Sequence, residues 1–500
     1  MKKTHKLLAL FLSLVMLIGA VSVVGYAADE GVDYTITSTY ADVDWSNRQY
    51  RTELHSHTTA SDGNNTLKEM TEQYYDYGYD FYTDSDHGLV SYSWTEQQVI
   101  SAMKVVLYLR GRGEDIETLL PEGGFCANGN TYDLSQNAAG DDVYTQTAPD
   151  GTVGHPMLRV PYGIELNPSS LNNAHVTSWF CDYGNAVMGG TSDYETAISG
   201  VEKAGGICVI NHPGEYTRAR HAANTAEAYD YNDTHYKYVI DKYVSLLEKH
   251  PCCLGIDMNS KGDNRTRHDR KLWDILLMRL APSGRNVYGL ATSDAHSLDA
   301  AFTGYMDVIL PEQTTAALRE ALEKGQFFAG SKWVGNPEEL QEIASLLAQN
   351  RDATSQTVAQ AITEGQAADF EGYKYEASRN IEAPRIRSVI VNEETDTITI
   401  DADDALCVRW IADGKTVATG SQIDLDRVDG LGSYVRAEVF GEGGITYTVP
   451  MLLSYDGAPE SKSKFFVDLW FLASFLPDTI VRFLASLPGF DAIWDALRSR

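Results

Sequence analysis

Two histidines stand one residue apart in Thr52–Gly63, TELHSHTTASDG, and an Asp-Gly pair follows them. If Leu54 to His57 is extended, alternation turns His55 and His57 to the same face, where two imidazoles can grip one ion, with Asp62 arriving from the turn beyond. Residues of the same ligand type recur after apolar runs: Asp86 and His87 in TDSDHG, Glu165 in VPYGIELN, His175 in NNAHVTSW, His212 in VINHPG, and Asp294 with His296 in ATSDAHS. Of the 12 histidines in the chain, half belong to this set. Singly, a histidine at such a place is more often a satisfied structural residue; their joint placement argues for a metal cluster. Imidazoles mixed with carboxylates suit zinc, manganese or iron better than magnesium or calcium. His55, His57, Asp62, His87, Glu165, His175, His212, Asp294 and His296 oversupply one ion, so two or three divalent ions are expected. Clustered ions acidify a water and hold the oxygens of a phosphoryl group. No Ser-His-Asp arrangement, Walker loop or dinucleotide fingerprint competes.

Residues so far apart in sequence need a repeated scaffold. Between residues 50 and 335 helix-like stretches alternate with apolar strand-like runs, as in ISGVEKAGGICVINHPGE and KLWDILLMRLAPSGRNVYGLATSDAH. Each unit ends in ligand-type residues at the C-terminal end of its strand, which is where barrel enzymes place their chemistry. The class is α/β, a barrel or layered fold, with insertions at Thr95–Pro156 and Ala222–His250. The tyrosines Tyr74, Tyr75, Tyr77 and Tyr79 read as helix packing. A polar helical connector is expected over 336–383. Over 384–456 short alternating strands with turns at Asp413-Gly414 and Gly443-Gly444 predict a small β-sandwich. Residues 462–500 read as short amphipathic helices broken by Pro477 and Pro488. They are expected to pack on the protein or to touch a membrane surface or cell wall.

Five hundred residues exceed one compact core, so several domains are expected. Residues 1–27 combine Lys2, Lys3 and Lys6 with an apolar run from Leu7 and small residues up to Ala27, the pattern of a cleaved secretory signal; the run is also nearly long enough for an uncleaved anchor. The net charge of −30 becomes about −33 once the three signal lysines are removed. A surface that acidic repels polyanions, so nucleic acid is not an expected partner; a small anionic substrate, steered to a local cationic spot, remains compatible. The six cysteines have irregular spacing and read mostly as buried apolar residues, with room for one bridge in an exported chain.

Taken together, these motifs resemble the PHP (polymerase and histidinol phosphatase) family of metallohydrolases. The first motif matches as His55-Ser56-His57-Thr58-Thr59-Ala60-Ser61-Asp62-Gly63, and the second as Ser85-Asp86-His87 with Ser in place of Thr. Glu165, His175, His212-Pro213 and Asp294-Ala295-His296 follow in family order. The resemblance spans roughly Tyr50 to Trp333. It implies a distorted (β/α)7 barrel at 50–335, followed by the sandwich-like domain and helical tail, with a trinuclear site that hydrolyses phosphoesters by a metal-bridging hydroxide. It makes the nine residues named above the metal ligands. It further implies that Asp294 takes the proton of the attacking water and that Asp86, the other catalytic candidate, orients a ligand histidine. Asp257 stands where a glutamate is common. Signal, barrel and sandwich together resemble an exported subgroup that includes carbaryl-hydrolase-like enzymes.

For substrate binding, the densest cationic segment, KGDNRTRHDRK, offers Arg265, Arg267 and His268 to a phosphate; Arg218, Arg220 and His221 form a second patch. The expected activity is a metal-dependent phosphoesterase. One alternative is the same metal chemistry on a non-phosphate ester, carbamate or amide. Another is a non-catalytic cell-surface binding protein with structural metals.

Overall fold

The computed structural model describes residues 32–95, 120–166, 174–184, 194–215, 234–260, 266, 268–367, 373–374 and 381–461. The expected signal segment 1–27 and the expected helical tail 462–500 lie outside them. Among the described residues no helix is long and apolar enough to cross a membrane.

The elements that carry the site are strand β1 (Arg48–Glu53), helix α1 (Leu67–Asp76), β2 (Phe81–Tyr82), β3 (Ile164–Leu166), β4 (Val176–Trp179), α2 (Tyr194–Ala204), β5 (Ile207–Ile210), α3 (Thr234–Lys249), β6 (Cys253–Asp257), α4 (Asp269–Leu280) and β7 (Tyr288–Leu290). β3 to β6 are buried along their whole length. Such unbroken burial explains why their sequences are continuous apolar runs rather than alternating ones. β5, β6 and β7 pair in parallel, while β4 runs antiparallel to both β3 and β5. Together these five strands form one sheet in the order β7-β6-β5-β4-β3. β1 and β2 pair in parallel within a separate 14-stranded sheet.

Among the described residues the closed barrel expected from the sequence does not form as one continuous ladder. Two sheets abut instead at two seams, each a single parallel bridge: Ser56 with Ala295, and His87 with Glu165. A few backbone hydrogen bonds thicken the seams. His57 N donates to Ala295 O (2.8 Å), Glu165 N to Ser85 O (3.0 Å) and Gly88 N to Glu165 O (3.0 Å). The reversal of β4 is a second departure from simple helix-strand repetition. Because β4 runs backwards, His175, which precedes it, reaches the same end of the sheet as His212, which follows β5.

The C-terminal strands also depart from a separate sandwich. Arg385–Asn392, Thr397–Asp403 and Gln422–Asp424 make their own three-stranded sheet, but Gly444–Thr448 pairs along Phe327–Ser331 and so joins the large sheet. Buried charges fasten this region to α4. Both carboxylate oxygens of Asp274 accept from Arg436 (2.7 and 2.8 Å), Tyr434 Oη donates to Asp274 (2.9 Å), and Arg436 pairs with Glu438 (2.6 Å). Within the connector stretch the chain forms helices Pro337–Leu347 and Ala353–Ala367.

A candidate metal centre

The loop after β1 is shaped by its own sequence. Thr66 caps α1, with its hydroxyl accepting from Glu69 N (3.2 Å) while Glu69 accepts from Thr66 N (2.8 Å), a reciprocal cap that fixes where the loop ends. At its middle, Gly63 N donates to Thr58 O (2.9 Å) and packs against the backbone of His57 so closely that a Cβ would lie 2.6 Å from His57 C and O. Only glycine fits there, which is the physical content of the Asp-Gly pair.

The nine ligand-type residues converge. Four groups of side chains each place their ligand atoms within 4.8 Å of one another: His57, Asp62, His87 and His296; His55, His57 and Asp294; His55, Glu165 and His212; and His87, Glu165 and His175. His55 Nε2 and His57 Nε2 lie 3.2 Å apart and approach Asp294 Oδ1 at 3.3 and 3.1 Å. Glu165 is the hub. Its Oε1 faces His175 Nδ1 at 2.8 Å and His212 Nε2 at 3.2 Å. Its Oε2 faces His87 Nδ1 at 3.0 Å, His57 Nε2 at 3.2 Å and His55 Nε2 at 3.5 Å. Asp62 faces His57, His87 and His296 at 3.4 to 3.6 Å. Most of the cluster is buried, but the side chains of Asp62 and His296 are each 32 % exposed, so the mouth of the site lies between them.

The donor set suits cations. Glu165 Oε2 is buried and accepts no hydrogen bond, although three imidazole nitrogens surround it. That is costly for a carboxylate oxygen in a protein interior and is relieved by an ion shared with those imidazoles. Burial would raise the Glu165 carboxyl, yet His175, His87 and His55 hold it well below the ordinary carboxylate range. Burial likewise opposes charge on His87, but Glu165 and Asp62 push it up to about 10. Metal binding there requires that proton to leave. His212 (φ 24°) and Asp294 (φ 45°) lie in the left-handed region, a conformation that non-glycine residues hold only when the surroundings impose it, and one that gathers at functional sites.

The surrounding groups differ from expectation in several places. Asp86 does not reach a histidine directly. Its carboxylate accepts from Thr58 N (2.8 Å), Thr58 Oγ1 (2.6 Å) and the Ser61 hydroxyl, and Ser61 Oγ in turn lies 3.3 Å from His57 Nδ1. It therefore holds the loop, and influences His57 through Ser61. Asp257 accepts from Thr292 and stands 3.9 Å from His55 Nδ1, at the rear of the cluster. His268 is buried, and Asn336 Nδ2, from 68 residues downstream, donates to its Nδ1 (3.2 Å) while Asn336 Oδ1 caps the helix Pro337–Leu347. Arg265 and Arg267 lie outside the described residues, as do Arg218, Arg220 and His221. Tyr74 packs as expected on Tyr82 and Tyr79, with ring centroids 4.6 and 4.9 Å away, but its hydroxyl also meets Ser293 Oγ at 2.6 Å, beside Asp294.

Two contributors escaped the sequence reading. Asn211 Nδ2 donates to Glu165 Oε1 (2.8 Å), and its place beside His212 in VINHPG was the available signal. Glu53 accepts from Leu54 N (3.1 Å), His55 N (2.8 Å) and Ser293 N (3.3 Å), tying β1 to the loop after β7; burial pushes its carboxyl up to about 8.

No protein-family model and no curated protein matches the chain. Among solved structures, it is similar to a two-domain protein from Bacteroides vulgatus described as containing a predicted PHP-like metal-dependent phosphoesterase. The identity is 16 %, over 83 % of this chain and 98 % of that one, with a TM-score of 0.33. It is also similar to the lesion-specific endonuclease PfuEndoQ from Pyrococcus furiosus, at 11 % identity over 55 % of this chain and 56 % of that one, with a TM-score of 0.28. At those TM-scores neither likeness adds to what the clustered residues say by themselves.

Proposed function

We propose that the protein is a metal-dependent hydrolase of PHP type acting on a small anionic phosphoester. The observation that carries this reading is ligand sharing: the four groups overlap at His55, His57, His87 and Glu165, so neighbouring ions would stand side by side. Two or three divalent ions bound there, zinc, manganese or iron, would polarise a phosphoryl oxygen and acidify a water at neutral pH. The chain's own residues do the rest. Glu165 spreads one negative charge over five imidazoles, Asp294 is assigned the proton of the attacking water, and Asp86 keeps the Thr58–Ser61 loop, and so Asp62, in register. Export through residues 1–27, and contact of the tail with a membrane surface or cell wall, belong to the same proposal. The charge of −30 favours a small substrate over nucleic acid.

A second reading keeps the metal chemistry but cleaves a non-phosphate ester, carbamate or amide. It needs no cationic side chain at the substrate, and His268, one of three candidates, is buried against Asn336. Metal content by elemental analysis, with release of p-nitrophenol from its phosphate mono- and diesters and from its acetate, separates the two. Two or three ions with phosphoester cleavage, lost in Asp294→Asn, support the first reading. Full metal with cleavage of the acetate alone supports the second. One ion or none, with no turnover after metal supplementation, sinks both.

A further inference from the structure

The strands β4, β5 and β6 carry reactive side chains at both ends. At one end stand His175, His212 and Asp257. At the other, Cys181 follows β4, Cys208 is the second residue of β5, and Cys253 opens β6 with Cys252 directly before it. Four of the six cysteines thus gather about 13 Å from the metal-ligand end, at roughly 3.3 Å per strand residue.

Their contacts are close. Cys208 and Cys253 are direct partners in the parallel ladder, and Cys208 N donates to Cys252 O at 2.9 Å. Burial raises the Cys208 thiol well above its ordinary value, and the Cys252 and Cys253 thiols beside it raise it further. Cys181 approaches from β4, where Gly206 makes room for it: a Cβ at Gly206 would lie 2.3 Å from Cys181 Sγ. All four thiols are free in the structure. Cys208 and Cys253 are fully buried, whereas Cys252 is half-buried, with its thiol turned to Ile198 O (3.8 Å) on α2. Adjacent Cys252 and Cys253 are poorly suited to bridging each other, because consecutive Cα atoms about 3.8 Å apart fall short of the roughly 4.4 Å that disulfides need. Neighbouring strands, about 4.8 Å apart, meet that requirement.

We propose that Cys252 and Cys208 form a thiol–disulfide exchange site that accepts a low-molecular-weight disulfide and ends as an intrachain disulfide bolting β5 to the entry of β6. The reachable Cys252 thiolate attacks one sulfur of the small disulfide, forming a mixed disulfide and expelling one small thiolate, which takes up the proton Cys252 gave to solvent. Cys208 then attacks the Cys252 sulfur, expelling the second small thiolate, which takes up the Cys208 proton. Two protein thiols are oxidised, and one small disulfide is reduced to two thiols. The bolt closes the loop from 208 to 252, which carries His212 and α3, at the end away from the cluster.

The test is peptide mapping under non-reducing conditions after the full chain is incubated with oxidised glutathione. The expected result is an intact mass lower by two hydrogens and a tryptic species joining residues 204–218 to 250–261, released by dithiothreitol. Cys252→Ser removes the species and Cys253→Ser keeps it; circular dichroism of the half-buried Cys252 variant shows that the fold survives. A cross-link that persists in Cys252→Ser, a stable glutathione adduct on Cys252 that Cys208 never resolves, or no change in mass would each overturn the proposal.

Discussion

Replacing Gly63 by alanine tests the geometry of the site without touching a ligand. The added Cβ would sit 2.6 Å from His57 C and O and 2.7 Å from Thr58 N, where ordinary contact begins at 3.4 Å. The obstacle is backbone, so no side chain can swing away, and the loop must retreat by about 0.8 Å. Overpacking of this kind costs about 1–3 kcal/mol of stability. The functional cost is of similar size. Asp62 is the neighbouring residue, its carboxylate serves three histidines at 3.4 to 3.6 Å, and Asn64 N is anchored to His296 O at 2.8 Å. A displacement near 1 Å at a reacting centre costs about 100-fold in rate. Gly63→Ala is therefore expected to stay folded, with a melting temperature lowered by several degrees. It should lose one bound ion on dialysis and cleave p-nitrophenyl phosphate about 100-fold more slowly. Thermal melts, elemental analysis and steady-state kinetics on the same preparation report all three. Full metal content and unchanged kcat/KM in a folded variant would refute the claim that the close approach at Gly63 positions Asp62.

Other perturbations probe other parts. Asn211→Ala removes a donor that fixes Glu165, and metal affinity read by competition with a chromogenic chelator should fall about 10–100-fold. Asp274→Asn leaves the buried Arg436 with Glu438 as its counter-charge and should cost about 1–3 kcal/mol in urea unfolding, whereas the double variant Asp274→Leu with Arg436→Met should recover most of it; equal losses in both would contradict a buried ion pair. His250 lies between Glu195 (3.3 Å) and Glu202 (2.7 Å), and these carboxylates raise its pKa against burial, while His250 and Lys249 lower Glu195 to about 2. Raising His250 yields stability present below its unfolded value of about 6.5 and lost as pH climbs through the folded one; lowering Glu195 yields stability present above about 4.3 and lost as pH falls towards 2. The melting difference between wild type and His250→Gln should thus be greatest between about pH 4.5 and 6.5 and shrink above, and a pH-independent difference would rule the pairing out.

How much of this could be read in the chain depends on how local each determinant is. His55, His57, Asp62 and Gly63 sit in one loop whose spacing alone implies a shared face, and Asp294 with His296 does the same after β7. Glu165 and His175 were legible as ligand types, but the reversed strand that turns His175 to the same end was not, since apolar runs such as Val176–Trp179 carry no direction. The contact between His268 and Asn336 was not legible either, since Asn336 reaches it only through folding. Asp86 was expected to orient a ligand histidine, and it meets His57 through Ser61 while also bracing Thr58, a detail that rests on side-chain direction. The join of Gly444–Thr448 to Phe327–Ser331 is a long-range pairing that no local pattern encodes.

The two single-bridge seams have a consequence for assembly. Each sheet completes its own hydrogen-bonded ladders without the other, but the nine ligand-type residues come from both: His55, His57, Asp62 and His87 from the 14-stranded side, Glu165, His175, His212, Asp294 and His296 from the five-stranded side. Backbone pairing contributes little where the halves meet; one hydrophobic core runs through both, with Leu54 and Phe81 from one side and Val176, Ile210 and Ile256 from the other, and the charged cluster is a second joint beside it. Until the sheets dock there is no complete site, so ions bound there would mark a correctly joined molecule, since neither half alone offers the whole donor set.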